Sequence, residues 1–257
     1  MRVSGRSLLV LTCLLLGCEV NPASPRFTAL DPFTFESGVT TQVSFRLEDL
    51  NGDVTVTGSA SASTVTATGF RRVTAASQEE ADDRLPDIRV AMTATSDEIL
   101  LEADHPGSGP GWTYAVDVSI VVPQGMAVTI LNGNGSVDLD GAAGGVVITT
   151  GNGTVTTRNV LGDMRLTVGN GGISSQATLL AGSAVRVDAG NGNIQLRIPR
   201  STSALVDAAV GNGLITVSGL PLSQKIQDET TLSGRLGTGN GSIVLRSGNG
   251  NIALVGT

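Results

Sequence analysis

Residues 132–153 read NGNGSVDLDGAAGGVVITTGNG, and the reading of this stretch decides the fold. It opens and closes on Gly-Asn-Gly, with two short runs of alternating apolar residues between. The motif returns to the end of the chain, centred on Asn134, Asn152, Asn170, Asn191, Asn212, Asn240 and Asn249, and the first five are 18, 18, 21 and 21 residues apart. Three residues after each asparagine stands Val137, Val155, Ile173, Ile194, Ile215, Ile243 or Ile252. Four before it stands Ile130, Ile148, Leu166, Val187, Ala208, Leu236 or Leu245. A fixed period of this kind is the signature of a stacked repeat architecture.

Within each copy the alternation has period two. Val146, Ile148 and Thr150 face one way and Val147 and Thr149 the other, as do Val185, Val187 and Ala189 against Arg186 and Asp188. Such Val/Ile/Thr-rich runs read as half-buried strands, and the Asn-Gly between them as a corner needing positive φ, which glycine adopts freely. Asn-Gly is also a strong hairpin signal, so an antiparallel meander is the competing reading. The long period, with two strands per copy, favours like residue lying on like residue about 4.8 Å away. The expectation is an all-β fold, a parallel β-solenoid (β-helix-like) of 18–21 residues per turn, with the asparagines in file along one corner. One turn buries roughly four apolar side chains at ~1.5–3 kcal/mol each, which does not cover the ~1–2 kcal/mol per residue needed to order its backbone. Turns must therefore share core and hydrogen bonds with their neighbours.

Residues 1–18 read as an export signal. Arg2 and Arg6 precede a short apolar run over 8–16 that ends in Leu15-Leu16-Gly17-Cys18. This is too short for a usual membrane span and resembles a lipobox, in which Cys18 is diacylated and becomes the mature N-terminus; ordinary cleavage near Ala23-Ser24 is the alternative. Cys13 and Cys18 are the two cysteines of the chain, so the mature domain is expected to carry no disulfide, thiol nucleophile or thiolate metal site. Loss of Arg2 and Arg6 takes the formal charge from −7 to −9, which argues against nucleic acid as a partner. Residues 19–38 read as a tether. Residues 39–130 form a less regular β part of the solenoid domain, with strands at 43–47, 53–58, 63–67, 88–94, 98–103 and 114–122 and one acidic helix near 75–85. Residues 131–257 form the regular repeat. Within it, 220–233 reads as a loop inserted at a corner, and the nine-residue step from Asn240 to Asn249 as a half-turn closing the end.

Asn51-Gly52-Asp53-Val54-Thr55-Val56, the acidic helix, and then Val118-Ser119-Ile120-Val121-Val122-Pro123-Gln124-Gly125 leading into reiterated Gly-Asn-Gly together resemble a bacterial family of adhesin-like β-strand-repeat domains of unknown function. The resemblance covers roughly residues 40–257. It implies an elongated solenoid, usually exported or membrane-anchored, and offers no catalytic residues to carry over.

Candidate chemistry is sparse. The 133–140 run is similar to a calcium β-roll repeat, but its corners carry Asn rather than Asp, and Asp138 and Asp140 are not reiterated; no metal or cofactor is expected. Arg165 and Arg186 fall at equivalent outward positions beside Asp188. His105, the single histidine, reads as a solvated loop residue. Trp112 and Tyr114 are the available sugar-stacking aromatics. The outward positions Asp138, Thr156, Ser174, Gln195, Thr216, Val244 and Ala253 would form one flat, short-chained face, with Thr156, Ser174, Gln195 and Thr216 as a possible binding surface for a glycan or an envelope protein. The resulting reading is a non-enzymatic, lipid-anchored protein of the bacterial cell envelope, held to a membrane through Cys18. The alternatives are a carbohydrate-active enzyme on a β-helix and an accessory subunit of an envelope-sensing system. The alternation makes a direct prediction: Val155→Asp destabilises the fold by about 4 kcal/mol or more, and Thr156→Asp by no more than about 0.5 kcal/mol. Equal thermal shifts for the two variants would contradict it.

Overall fold

The computed structural model describes residues 26–257. The signal segment 1–18, Cys18 and the tether as far as residue 25 lie outside the described residues. In chain order the strands are β1 (Phe27–Gly38), β2 (Ser44–Asn51), β3 (Val54–Ser59) and β4 (Thr64–Ala75). Helix α1 (Gln78–Arg84) and a 3₁₀ turn at Leu85–Asp87 follow, then β5 (Arg89–Ala94), β6 (Glu98–Asp104) and β7 (Thr113–Pro123). From there strands come in pairs around Asn-Gly corners: β8 (Ala127–Asn134) with β9 (Val137–Asp140), β10 (Val146–Asn152) with β11 (Val155–Leu161), β12 (Met164–Asn170) with β13 (Ile173–Thr178), β14 (Ala184–Asn191) with β15 (Ile194–Ile198), and β16 (Ala204–Asn212) with β17 (Ile215–Ser218). A hairpin of β18 (Ser223–Gln227) and β19 (Thr231–Leu236) intervenes before the last pair, β20 (Gly241–Asn249) and β21 (Ile252–Gly256).

Two sheets result. One runs β1-β4-β7-β3-β9-β11-β13-β15-β21-β17, and the other β18-β19-β16-β20-β14-β12-β10-β8-β2-β6-β5. Each pair contributes one strand to each sheet, and like lies on like: Ile130, Ile148, Leu166 and Val187 are in parallel register, as are Val137, Val155, Ile173 and Ile194. All eight are buried, and the single large core between the sheets is built from these aliphatic columns. The chain is a parallel β-solenoid, as the period implies. Val155 is fully buried and Thr156 lies on the outer surface beside it. Thr157 and Ser175, polar at inward positions, bond to each other at 2.6 Å and lie against the Met164 sulfur, so their hydroxyls remain satisfied without water.

The repeat begins earlier than 131. β2 and β3 pair in parallel with β8 and β9, so Asn51-Gly52 is the first corner. Beyond it β7 and β6 lie parallel on β3 and β2, and the sheets then end in antiparallel strands, β4 and β1 on one side and β5 on the other. α1 is capped by the Ser77 hydroxyl, which accepts from the Glu80 N–H. With the 3₁₀ turn it covers a smaller core of Ala29, Val73, Ala75, Ala81, Ile88, Ala103, Tyr114 and Val116.

Three expectations are corrected. Phe27–Gly38 is not tether but a twelve-residue edge strand on β4, because Ala29, Phe33 and Phe35 alternate toward the core. Residues 220–233 are not a corner loop. Most of them form the β18–β19 hairpin, which lies antiparallel on β16 and caps that sheet. The last repeat does not close the stack either: β20 lies between β14 and β16, and β21 between β15 and β17. With β19 occupying one edge of β16, the next parallel strand has the other edge, facing β14. A chain ended after Gly237 is therefore expected to lose more than its last two strands. Amide protection over 204–218 should collapse while 127–191 stays protected in hydrogen exchange. Retained protection over 204–218 would contradict the intercalated order.

Candidate functional site

At each corner the asparagine side chains form one file. Nδ2 of Asn134 donates to Oδ1 of Asn51, Asn152 to Asn134, Asn170 to Asn152, Asn191 to Asn170, Asn249 to Asn191 and Asn212 to Asn249, at 2.5–2.8 Å. Six of the seven residues read as a ladder are in it. Asn240 is not: it stands just before β20, and its N–H donates to the Ser203 hydroxyl. Asn51 takes its place at the far end. There Asn51 Nδ2 meets Nε2 of His105 at 3.4 Å, while Nδ1 of His105 faces the Pro106 carbonyl at 2.7 Å. His105 is buried and stacked on Tyr114, so it is a terminal partner of the ladder rather than a solvated loop residue.

The outward face of the ten-stranded sheet carries the candidate binding surface. Registration places Asp138, Thr156, Ser174, Gln195, Ala253 and Thr216 in one row. Val244 is excluded; it lies on the other sheet, beside Arg186. The row is longer than the repeat. Through Thr55, Ser119, Thr68 and Thr34 it crosses every strand of the sheet, and nine of its ten members are Thr, Ser, Asp or Gln. The extension needs the antiparallel pairing of β7, β4 and β1, which the repeat period does not encode.

At that extended end the face is indented. A cleft of about 450 Å³ is lined by Pro32, Thr34, Asp53, Thr55, Thr68, Phe70, Asp117 and Ser119, among others. Phe70 stands next to Asp117 and one pleat from Thr68, with 49% of its surface exposed. Asp117 is fixed from two sides: Arg72 Nε donates to Oδ2 at 2.9 Å, and the Asp53 N–H to Oδ1 at 3.0 Å. Burial alone would raise the Asp117 carboxyl, but Arg72 and the Asp53 N–H outweigh it and hold it below the ordinary carboxylate value. The Asp53 carboxylate accepts the Ser136 N–H through Oδ1. Phe70 and Asp117 lie in no motif, and Asp53 stands in the Asn51-Gly52-Asp53-Val54 corner with nothing in the sequence to mark it as a binding group.

Trp112 and Tyr114 are not stacking platforms. Tyr114 is buried with its hydroxyl on Asp87, and the Trp112 ring is covered by the Arg84 guanidinium. On the opposite sheet Arg165 and Arg186 are neighbours in register, and Arg186 is chelated by Asp188 at 2.7 and 3.0 Å. A second cleft, of about 360 Å³, holds Glu48 and Glu102 side by side near Asp104 and Asn132. Arg46 pairs with Glu48. Among the described residues no group of three or more His, Cys, Asp or Glu is placed to hold a metal ion.

Two sheets stacked turn on turn, with one broad polar face, define a β-solenoid repeat protein. The chain belongs to the Toastrack DUF4097 family, whose model matches residues 40–255. Among solved structures it is similar to a "putative cell adhesion protein" of Clostridium sporogenes, at 13% identity over 88% of this chain and 100% of that one, with a TM-score of 0.48. It is also similar to a "putative adhesin" of Bacteroides fragilis, at 11% identity over 87% and 97%, TM-score 0.31. A "putative lipid binding protein" of Parabacteroides distasonis shows 10% identity over 86% and 96%, TM-score 0.26. No curated protein matches.

The ladder makes a prediction about its members. Asn170→Ala removes two side-chain hydrogen bonds and should cost about 1–2 kcal/mol in chemical denaturation. Asn240→Ala, outside the ladder, should stay within about 0.5 kcal/mol of the parent. Equal effects would contradict the bonding pattern.

Proposed function

We propose that this chain is an exported, lipid-anchored, non-enzymatic protein of the bacterial envelope, and that the outward face of its ten-stranded sheet is the surface that binds an envelope partner. The observation that carries the reading is the row from Thr34 to Thr216, a line of short polar side chains across the full width of the sheet. Short side chains lose little rotamer freedom on contact, and their regular spacing suits a partner with its own repeat. The anchor rests on Leu15-Leu16-Gly17-Cys18, and the envelope address follows from that anchor.

The competing enzymatic reading has one observation in its favour, the adjacent Glu48 and Glu102 in their cleft. Paired carboxylates are what glycoside hydrolysis requires. The two readings separate in one set of measurements. Mass spectrometry should find Cys18 diacylated at the mature N-terminus, and Cys18→Ser should leave the membrane fraction. Envelope material captured by the anchored protein should be lost in a Thr156→Glu/Gln195→Glu double variant and kept in a Thr149→Glu/Thr167→Glu variant of the opposite sheet. An unmodified start beyond Cys18 contradicts the anchor. Equal capture by both double variants contradicts the face, and glycan turnover abolished by Glu102→Gln contradicts the non-enzymatic assignment.

A further inference from the structure

The cleft at the β1 end of the row differs from the rest of the face in three ways. It is concave, it presents an aromatic ring, and it gathers two carboxylates, Asp53 and Asp117, beside hydroxyls, where the rest of the row carries Asp138 alone. Elsewhere the row contains no aromatic residue. We propose that this cleft is a glycan subsite that takes one pyranose unit of a neutral polysaccharide, with the Phe70 ring as its stacking platform. The inference rests on the binding-face reading above and names the ligand class for it.

The chemistry is matched group by group. A pyranose has an apolar face of axial C–H bonds, which stacks on an aromatic ring, and an edge of hydroxyls, which needs paired acceptors and donors. Phe70 supplies the ring and is half exposed although it sits in a strand. Nothing in the core holds it, since its neighbours in β4, Gly69 and Arg71, take the inward positions. Asp53 supplies a carboxylate whose Oδ2 makes no hydrogen bond among the described residues, while Oδ1 is held by the Ser136 N–H. That acceptor is therefore fixed in place before any ligand arrives, and a preorganised group loses less on binding. Thr34, Thr55, Thr68 and Ser119 supply hydroxyls in one line, each able to donate and accept.

The row also fixes the direction of the chain. Neighbouring strands are about 4.8 Å apart, close to the length of one pyranose unit, so a polysaccharide laid across the strands meets one row residue per sugar. From the cleft it would run over Asp138 and Thr156 toward Gln195. Charge selects a neutral polymer: acidic residues outnumber basic ones over 26–140, and Arg72 at the cleft is already neutralised by Asp117. An anionic glycan would meet Asp53 and Asp138, which form no ion pair among the described residues, beside an Asp117 already matched by Arg72.

The test uses the full chain and two soluble probes, the β1→4-linked hexamers of glucose and of N-acetylglucosamine, with polygalacturonate as the anionic control. The protein has five phenylalanines, so the Phe70 ring can be followed individually by NMR on phenylalanine-labelled material. A neutral hexamer at millimolar concentration is expected to move the Phe70 ring resonances. Phe70→Ala should weaken binding about tenfold, equivalent to roughly 1.4 kcal/mol, with unchanged melting temperature, and Phe70→Tyr should restore it. A Phe70 signal unmoved by both hexamers overturns the inference, as does binding to polygalacturonate alone. Binding that survives Phe70→Ala but is lost in the Thr156→Glu/Gln195→Glu variant also overturns the subsite, while leaving the face itself as the binding surface.

Discussion

The structure depends on how closely one corner lies on the next. At Gly153 a Cβ atom would stand 2.0 Å from the carbonyl oxygen of Gly135, and at Gly171 1.8 Å from that of Gly153. Any side chain there would drive the turns apart. With hydrogen in that place, the N–H of each corner glycine reaches the asparagine carbonyl of the neighbouring turn, as in Gly153 to Asn170 at 2.9 Å and Gly171 to Asn191 at 2.8 Å. The φ values at these two positions, 146° and 141°, are themselves reserved for glycine. From Asn152 onward the glycine before each ladder asparagine is held to a similar limit: a Cβ on Gly169 would lie 2.5 Å from the Gly151 carbonyl. The motif is thus two glycine columns flanking a column of amides, and its recurrence is a steric requirement.

Everything else follows from stacking at that spacing. The aliphatic columns between the sheets meet because the corners hold every turn in register, and the outward residues form rows for the same reason. The two sheets leave four edge strands, β1, β17, β18 and β5, and exposed edges invite association. Two of them are blunted. At one, β1 carries Pro32, Asp31 and Glu36 along an edge strand, with α1 packed nearby. At the other, β18 is short, slips register against β19, places Gln224 at a positive φ and carries Lys225. These are devices that keep sheet edges from pairing with a second chain.

Much of this was legible in the residues. Alternation told Val155 from Thr156, and the Asn-Gly period told parallel stacking from a meander. The order of the turns was not legible, because Ile243, Leu245, Ile252 and Leu254 make β20 and β21 as good a neighbour for β14 and β15 as β16 and β17 are. Only the hairpin on the other edge of β16 distinguishes them, and that is a long-range pairing. Composition misled at 27–38, where Pro32 and the Thr and Ser residues suggested a tether although Ala29, Phe33 and Phe35 kept strand spacing. At the candidate site the row over Thr156, Ser174 and Gln195 could be read from the repeat. Its cleft could not, because Phe70, Asp53 and Asp117 come from three separate stretches that meet only when β4, β7 and β3 lie side by side.

The central claim is that each turn lies parallel on its neighbour, with the last repeat between the two before it in the sequence. Distances between paired spin labels on the outward face test it most directly. At about 4.8 Å per strand, Asp138 and Thr216 are five strands apart, a backbone separation of ~24 Å, and Asp138 and Ala253 are four apart, ~19 Å. The account predicts the longer distance for the Thr216 pair. The longer distance for the Ala253 pair instead, or separations that do not grow by one strand spacing per turn from Asp138 through Thr156 and Ser174 to Gln195, would contradict it.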